Sequence, residues 1–173
     1  GLWIAVLSPA AVERARRIED SSDGRWIPQF LSLSAAIDNS RKDQTLNTPA
    51  LATIVMAERQ VRWLLERGGM DEVSTHCAQA SSLIYDWAEA NLAARPFVEN
   101  PAWRSPVTAT IEIDEAANAS ELAAHLRARG IVDIGAYRGV GANQLRIGTW
   151  PSVEVEDVEA LLACIDYCLE RVL

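Results

Sequence analysis

The sequence is poor in positive charge, and Lys42 is its single lysine. Its 16 Lys and Arg residues are outnumbered by 24 Asp and Glu residues, which gives a formal net charge of −8 over 173 residues. Proteins that bind nucleic acids usually carry a basic patch or stripe that neutralises phosphates. Because the sequence has no such cluster, it argues against DNA or RNA as a partner.

Cysteine and histidine are also scarce, with three and two residues. Cys164 and Cys168 are one helical turn apart and Cys77 is distant, a pattern typical of core-facing thiols in a reducing compartment rather than of a disulfide framework. His76 and His125 lie on predicted helices without a surrounding set of ligands at metal-site spacing. We therefore expect no metal site.

Apolar runs long enough to cross a bilayer are missing as well. The apolar segment at residues 2–7 is far shorter than the roughly 20 residues of a transmembrane helix, and no basic region precedes it. With 49% hydrophobic and 23% charged residues, the composition is that of an ordinary globular protein. We therefore expect a cytoplasmic protein that does not bind membranes.

The first part of the chain mixes a strand, two helices and irregular structure. The continuous apolar run at residues 2–7 predicts a strand buried on both faces. A short helix follows, with Ser8 at its cap and Pro9 in its first turn. Residues 26–47 show no clean period beyond about one helical turn near Ala35, and long irregular segments are often functional.

A strong amphipathic pattern then predicts a helix with Thr48 as its N-cap and Pro49 at its first position. Two glycines end this helix, and the junction Gly68-Gly69 is the predicted boundary between two structural units.

Beyond this boundary the pattern predicts a small sandwich of helices against a mostly antiparallel sheet. Its expected helices start at residues 70, 118 and about 156, and its expected strands span residues 107–113, 131–134 and 144–150.

Two groups of residues could bind anions. A helix that starts after Asn47 and Thr48 presents free backbone N–H groups and the positive end of its dipole, although plain capping by Thr48 also explains the pattern. Arg146 lies within an apolar strand, where a guanidinium either meets an anion or points to solvent. Tyr137 and Arg138 occupy the glycine-bearing loop before that strand.

Several motifs point to one family: QTLNTP at 44–49, WLLERGG at 63–69, RGIVD at 129–133, YR at 137–138 with NQLR at 143–146, and PSVE at 151–154. Together they resemble phosphoserine aminotransferase, in particular its actinobacterial form, over the whole chain. The resemblance implies an α/β fold, that of a fold-type I pyridoxal-phosphate aminotransferase. Residues 1–68 would end its large cofactor-binding domain, and residues 69–173 would form its small C-terminal α/β domain.

The resemblance also implies a homodimeric enzyme that converts glutamate and 3-phosphohydroxypyruvate to 2-oxoglutarate and phosphoserine, with pyridoxal 5'-phosphate as cofactor. Asn47 and Thr48 would bind the phosphate of the cofactor held by the neighbouring subunit. Arg146 would bind the substrate α-carboxylate, and Tyr137 with Arg138 would contact the phosphate or the side-chain carboxylate. Many members of the family have His where this sequence has Tyr137.

The resemblance places the Schiff-base lysine a few residues before Gly1, so no catalytic residue is assigned within the chain and Lys42 is not given that role. The chain by itself is expected to be inactive. Two alternatives stay open at this point: a non-catalytic α/β dimerisation or interaction module, and another fold-type I aminotransferase of the alanine–glyoxylate type.

Overall fold

The computed structural model describes residues 2–21, 24–138 and 143–171. It divides the chain into two compact units, Gly1–Arg62 and Trp63–Leu173. The division falls within one long helix, a few residues before the boundary predicted at Gly68.

The first unit contains the expected N-terminal helix, α1 (Pro9–Asp20), whose N-cap Ser8 accepts a hydrogen bond from the Ala11 amide. A second helix, α2 (Leu33–Ser40), packs against α1. Arg16 on α1 donates to Asp38 on α2 at 2.5 Å. This hydrogen bond lowers the pKa of the Asp38 carboxyl below its ordinary value.

Two expectations for this unit are wrong. Residues 2–7 form no strand, and Ile4 and Val6 are 81% and 98% exposed. A strand requires a neighbouring backbone, and no other described segment of this unit is a strand. Residues 26–47 hold more helix than expected, because the Ser32 hydroxyl accepts from the Ala35 amide at 3.0 Å and starts α2.

The third helix, α3, spans Leu51–Glu66 and so begins later than predicted. The Ile54 amide donates to the Ala50 carbonyl at 3.1 Å, which places the N-cap at Ala50 and not at Thr48. Thr48 and Pro49 therefore lie ahead of the helix.

The second unit is the predicted sandwich of helices and an antiparallel sheet. Its sheet has the strand order β1-β2-β3, and all neighbours are antiparallel. The elements in chain order are α4 (Gly69–Ala90), β1 (Ala94–Pro96), β2 (Thr108–Ile113), α5 (Ala119–Arg127), β3 (Gln144–Gly148) and α6 (Val155–Arg171). None of the helices described is long and apolar enough to span a membrane.

The core of this unit lies between one face of the sheet and the three helices. Ile111 of β2 and Leu145 of β3 are fully buried against Ile84 of α4, Leu122 of α5 and Ile165 of α6. Burial alternates along β2, as expected for a sheet with one covered face. The opposite side, called the outer face below, carries the side chains of Arg95, Thr108, Thr110, Glu112, Gln144 and Arg146.

Local backbone explains two errors in the predicted strands. Residues 131–134 form no strand because Asp133 adopts a left-handed backbone with φ of 63°, and only Gly135 bridges to Leu145. Strand β1 was not predicted because it ends in Pro96. It lies at the sheet edge, where proline is tolerated.

Three further expectations concern single residues and one loop. Cys77 and Cys168 are buried as predicted, and burial raises the pKa of the Cys77 thiol, but Cys164 is exposed because α6 is not covered at that position by the described residues. His76 bonds through Nε2 to the Val153 carbonyl at 2.8 Å. Residues 139–142 of the predicted loop and Val172 of the last predicted helix lie outside the described residues.

The side chain of Asn143 joins three elements of the second unit. Its amide nitrogen donates to the carbonyls of Ile113, Asp114 and Ala117 at 2.8–3.1 Å, and its oxygen accepts from the Ala119 amide at 2.8 Å. The end of β2, the start of α5 and the start of β3 are thereby held by one residue.

Replacing Asn143 with Ala should lower the free energy of unfolding by about 1.5–3 kcal/mol, because it leaves several partly buried backbone groups without partners. Urea unfolding measures the change. Asn100→Ala is the matched control, since Asn100 caps one short helix through a single exposed hydrogen bond to Ala102. Equal losses in the two variants would contradict the joining role of Asn143.

Burial of Tyr85 should make stability depend on alkaline pH. Its hydroxyl lies 3.4 Å from the Ser105 and Thr108 carbonyls, and burial raises its pKa above the ordinary value of about 10, although nearby Arg104 acts in the opposite direction. Since the folded pKa is raised, this contribution is fully present below the unfolded pKa and is lost as pH rises through the folded value. Urea unfolding between pH 8 and pH 11 should show this loss.

Tyr85→Phe removes the titrating group, so its alkaline loss of stability should be smaller than that of the parent protein. Tyr167→Phe, which removes an exposed hydroxyl from α6, controls for the loss of one tyrosine. An alkaline loss of the same size in Tyr85→Phe and in the parent would contradict the assignment.

Candidate active site

In the first unit, Asn47 and Thr48 line an open hollow of about 930 Å³ between α2 and α3. Both residues are exposed. The Thr45 hydroxyl donates to the Asn47 carbonyl at 2.5 Å, which stiffens the backbone of this loop. The Asn47 amide and the Thr48 hydroxyl form no hydrogen bond to any residue of the described chain, so both can bind a ligand.

The donors at this hollow fit a phosphate group in kind. An amide and a hydroxyl donate to phosphate oxygens without titrating, and the first amides of α3, which follow closely, have no partner within the helix. Asp43 lines the same hollow and its carboxylate disfavours an anion nearby. A phosphate here therefore depends on hydrogen bonds and on the helix dipole more than on a local cation.

In the second unit, Arg146 lies in the middle of β3 and projects on the outer face, opposite Thr110 of β2. Its backbone amide donates to the Ile134 carbonyl at 2.9 Å. Its guanidinium carbon lies 4.8 Å from the centre of the Tyr137 ring, which is cation–π geometry. The structure therefore brings together Tyr137 and Arg146, two of the predicted site residues.

No carboxylate neutralises Arg146 within the described part of the chain, since no Asp or Glu oxygen lies within 4 Å of its guanidinium nitrogens. An aromatic face attracts a cation without occupying its hydrogen-bond donors. The guanidinium of Arg146 can therefore bind a carboxylate or phosphate with its N–H groups.

Arg146 is part of the wall of a groove of about 700 Å³ beside β3 and α6. The groove has a mainly apolar lining with Asp133 and Asp157 as its acidic members. Its other lining residues include Ile131, Trp150, Val153, Leu161 and Cys164. An apolar groove with a few charged groups is the usual form of a small-molecule site.

Sequence reasoning missed the role of Gly148 and Trp150. A β-carbon on Gly148 would lie only 2.7 Å from the indole nitrogen of Trp150, so the glycine lets the indole lie directly on β3. Gly148 is two residues from Arg146 and shares its face of the sheet. A glycine inside a strand signals such a close approach, and this signal was available in the sequence.

Arg138 is exposed and directly follows Tyr137. It is not part of the groove wall, and it forms no ion pair with any residue in the ranges described above. Its side chain is therefore available to a ligand, but the structure does not bring it into contact with Arg146.

Comparison with known proteins adds to this geometry. Over 171 residues the chain is 50% identical to the phosphoserine aminotransferase of Rhodococcus jostii, and the match covers 99% of the chain and 45% of that protein. The chain spans about half the length of the curated relatives it matches, and it corresponds to their C-terminal part. No protein-family model matches the chain.

Solved structures share the fold at lower identity. A phosphoserine aminotransferase from Cytophaga hutchinsonii superposes with a TM-score of 0.81 at 19% identity, over 96% of this chain and 44% of that one. An alanine–glyoxylate aminotransferase from Nostoc superposes with a TM-score of 0.74 at 16% identity, over 95% and 42% of the two chains.

The fold is thus that of a fold-type I pyridoxal-phosphate aminotransferase, as the resemblance implied. Both kinds of aminotransferase share this architecture, so the fold alone does not separate them. The sequence is more similar to one kind, because it is about 50% identical to the C-terminal part of curated phosphoserine aminotransferases.

Gly148→Ala should destabilise the second unit by about 1–3 kcal/mol, because the new methyl group clashes with the Trp150 indole. Urea unfolding of Gly148→Ala, Trp150→Ala and the double variant measures the coupling between the two positions. In the Trp150→Ala background the same glycine substitution should cost much less. Additive losses would show that the indole does not lie on Gly148.

Proposed function

We propose that the protein is a phosphoserine aminotransferase and that this chain supplies its substrate-anion arginines. The enzyme would transfer the amino group of glutamate to 3-phosphohydroxypyruvate and release 2-oxoglutarate and phosphoserine. The observation that carries the proposal is Arg146, a guanidinium with no described carboxylate partner, on the wall of a groove and stacked on Tyr137. The identity to phosphoserine aminotransferases supports the same reaction.

Arg146 binds the α-carboxylate in this proposal. Both substrates and both products carry a carboxylate next to the reacting carbon, so one arginine serves both halves of the reaction. A guanidinium binds a carboxylate through two parallel hydrogen bonds, which fixes the orientation of the substrate as well as its charge.

Tyr137 and Arg138 bind the other end of the substrate. That end is a phosphate in two of the four molecules and a side-chain carboxylate in the others. The exposed Arg138 can pair with either anion, and the Tyr137 hydroxyl can donate to an anion beside Arg146.

Asn47 and Thr48 hold the phosphate of pyridoxal 5'-phosphate bound in the neighbouring subunit of a homodimer. Their uncommitted amide and hydroxyl donors match phosphate oxygens in kind. When bound, the cofactor supplies an electron sink for bond breaking at the α-carbon. In this assignment residues 1–68 end the large cofactor-binding domain, and residues 69–173 form the small C-terminal domain.

Charge favours these local assignments. The chain carries a net charge of −8, so its overall field repels anionic substrates and cofactor. Local groups must therefore provide the attraction, namely arginines for the substrates, and neutral donors with the helix dipole for the cofactor phosphate. The free thiols of Cys77, Cys164 and Cys168 agree with a reducing compartment, and we place the enzyme in the cytoplasm.

Arg146→Ala in the full-length enzyme should lower kcat/KM for glutamate and for the phosphorylated keto acid by about 10- to 150-fold, which corresponds to about 1.5–3 kcal/mol for a charged, bidentate contact. The kcat/KM of Arg146→Lys should lie between those of the parent enzyme and Arg146→Ala, because an ammonium keeps the charge but cannot form two parallel hydrogen bonds to a carboxylate. Steady-state kinetics with each substrate measure both effects.

Arg171→Ala is the matched control, because Arg171 is an exposed arginine of α6 that also stacks on a tyrosine, Tyr167. It should leave kcat/KM unchanged. The proposal is wrong if Arg146→Ala behaves like Arg171→Ala.

A further inference from the structure

Among the described strand residues, Glu112 is the acidic one, and it lies on the outer face of the sheet. Strand pairing places Glu112 directly opposite Gln144, and Thr110 directly opposite Arg146. Glu112 and Arg146 are therefore diagonal neighbours on the same face. Such neighbours are about 7–8 Å apart in their backbones, which long side chains can bridge.

The two side chains nevertheless do not form an ion pair in the described structure. Glu112 is engaged by Arg95 of β1, whose Nη2 lies 2.6 Å from Oε2 of the carboxylate. The Gln144 amide donates to the other oxygen at 3.4 Å. Arg146 turns instead to the Tyr137 ring.

We propose that Arg95 is a positioning residue for the substrate-binding arginine. By pairing with Glu112, Arg95 keeps this carboxylate from capturing Arg146 and leaves the guanidinium free for the substrate. The inference rests on the proposed function, because it assumes that Arg146 binds the substrate carboxylate. Arg95 itself need not touch the substrate.

Burial supports a role in binding more than in stability. The Arg95 side chain is 71% exposed, and exposed ion pairs contribute little to folding. Glu112 is less exposed, at 28%, so its charge is less screened by water and acts more strongly on its neighbours. Loss of Arg95 would leave a partly buried carboxylate on the same face as Arg146 and diagonal to it in the strand register.

Gln144 of β3 also contacts the Glu112 carboxylate. It is 3% exposed, and its side-chain oxygen has no hydrogen-bond partner among the described residues, while its nitrogen holds Glu112. A buried amide of this kind has few other orientations, because it must keep its donor on an acceptor.

The test uses steady-state kinetics of the full-length enzyme. Arg95→Ala should raise the KM for glutamate about 2- to 5-fold, the range expected for one competing cross-strand charge pair, with little change in kcat. The increase should shrink at high salt, which screens the new Glu112–Arg146 pair. Arg95→Lys should retain most of the parent KM.

The decisive variant is the double substitution Arg95→Ala with Glu112→Gln. It removes the competing Glu112 carboxylate together with Arg95, so the KM for glutamate should return to the parent value. Arg62→Ala, which removes an exposed ion pair with Glu58 on α3, is the control and should leave the KM unchanged.

The outcomes separate this inference from the proposed function. If Arg146→Ala leaves kcat/KM unchanged, the proposed function fails and the inference fails with it. If Arg146→Ala impairs the enzyme but Arg95→Ala leaves the KM unchanged, only the inference is overturned. It is also overturned if the KM defect of Arg95→Ala persists in the double variant, because the defect would then not come from Glu112.

Discussion

The side chain of Asn143 anchors the start of β3 to its neighbours. Its four hydrogen bonds tie the first residues of β3 to the end of β2 and to the start of α5. Register matters here because a slip of one residue would turn every side chain of the strand to the other face. Leu145 would then leave the core, and Arg146 would point into it, where an unpaired guanidinium is costly. The same constraint therefore protects both the core and the face that presents Arg146.

With this register, the two faces of the sheet carry different kinds of side chain. The inner side packs aliphatic residues against three helices, and the outer side presents polar and charged groups. Arg146 is steadied there by an aromatic ring and not by a carboxylate. This distinction has a chemical consequence, because a carboxylate would occupy the guanidinium donors, whereas the ring leaves them free for an anionic ligand. The pairing of Glu112 with Arg95 fits the same requirement.

The proposed function requires this chain to bind anions despite its acidic composition. A net charge of −8 repels a phosphorylated substrate at long range, and ions in solution screen this field beyond about 8–10 Å. Short-range contacts then decide binding. The arrangement of cations at Arg138 and Arg146, and of neutral donors at Asn47 and Thr48, suits this situation, because each acts at hydrogen-bond distance.

Local signals in the sequence were sufficient for much of the fold and for some of the site. Ser8 and Asn118 predicted the starts of the helices that they cap. Periodic apolar residues predicted α4 and α6, and alternating residues predicted β2 as a strand with one buried face. These features depend on neighbours within a few residues along the chain, so the sequence by itself determined them. The sequence motifs also identified Tyr137 and Arg146 as candidate site residues.

Tertiary structure decided what depends on distant partners. The apolar run at residues 2–7 does not become a strand without a neighbouring backbone, and β1 exists only because β2 pairs with it. The spacing of residues along β3 did not show which face of the sheet Arg146 would occupy. The backbone pairing of β3 with β2, together with the hydrogen bonds of Asn143, places it on the outer face. The contacts of Arg146 with Tyr137, and of Trp150 with Gly148, likewise need backbones brought together by folding. Periodicity alone could not show them, because it describes each element separately.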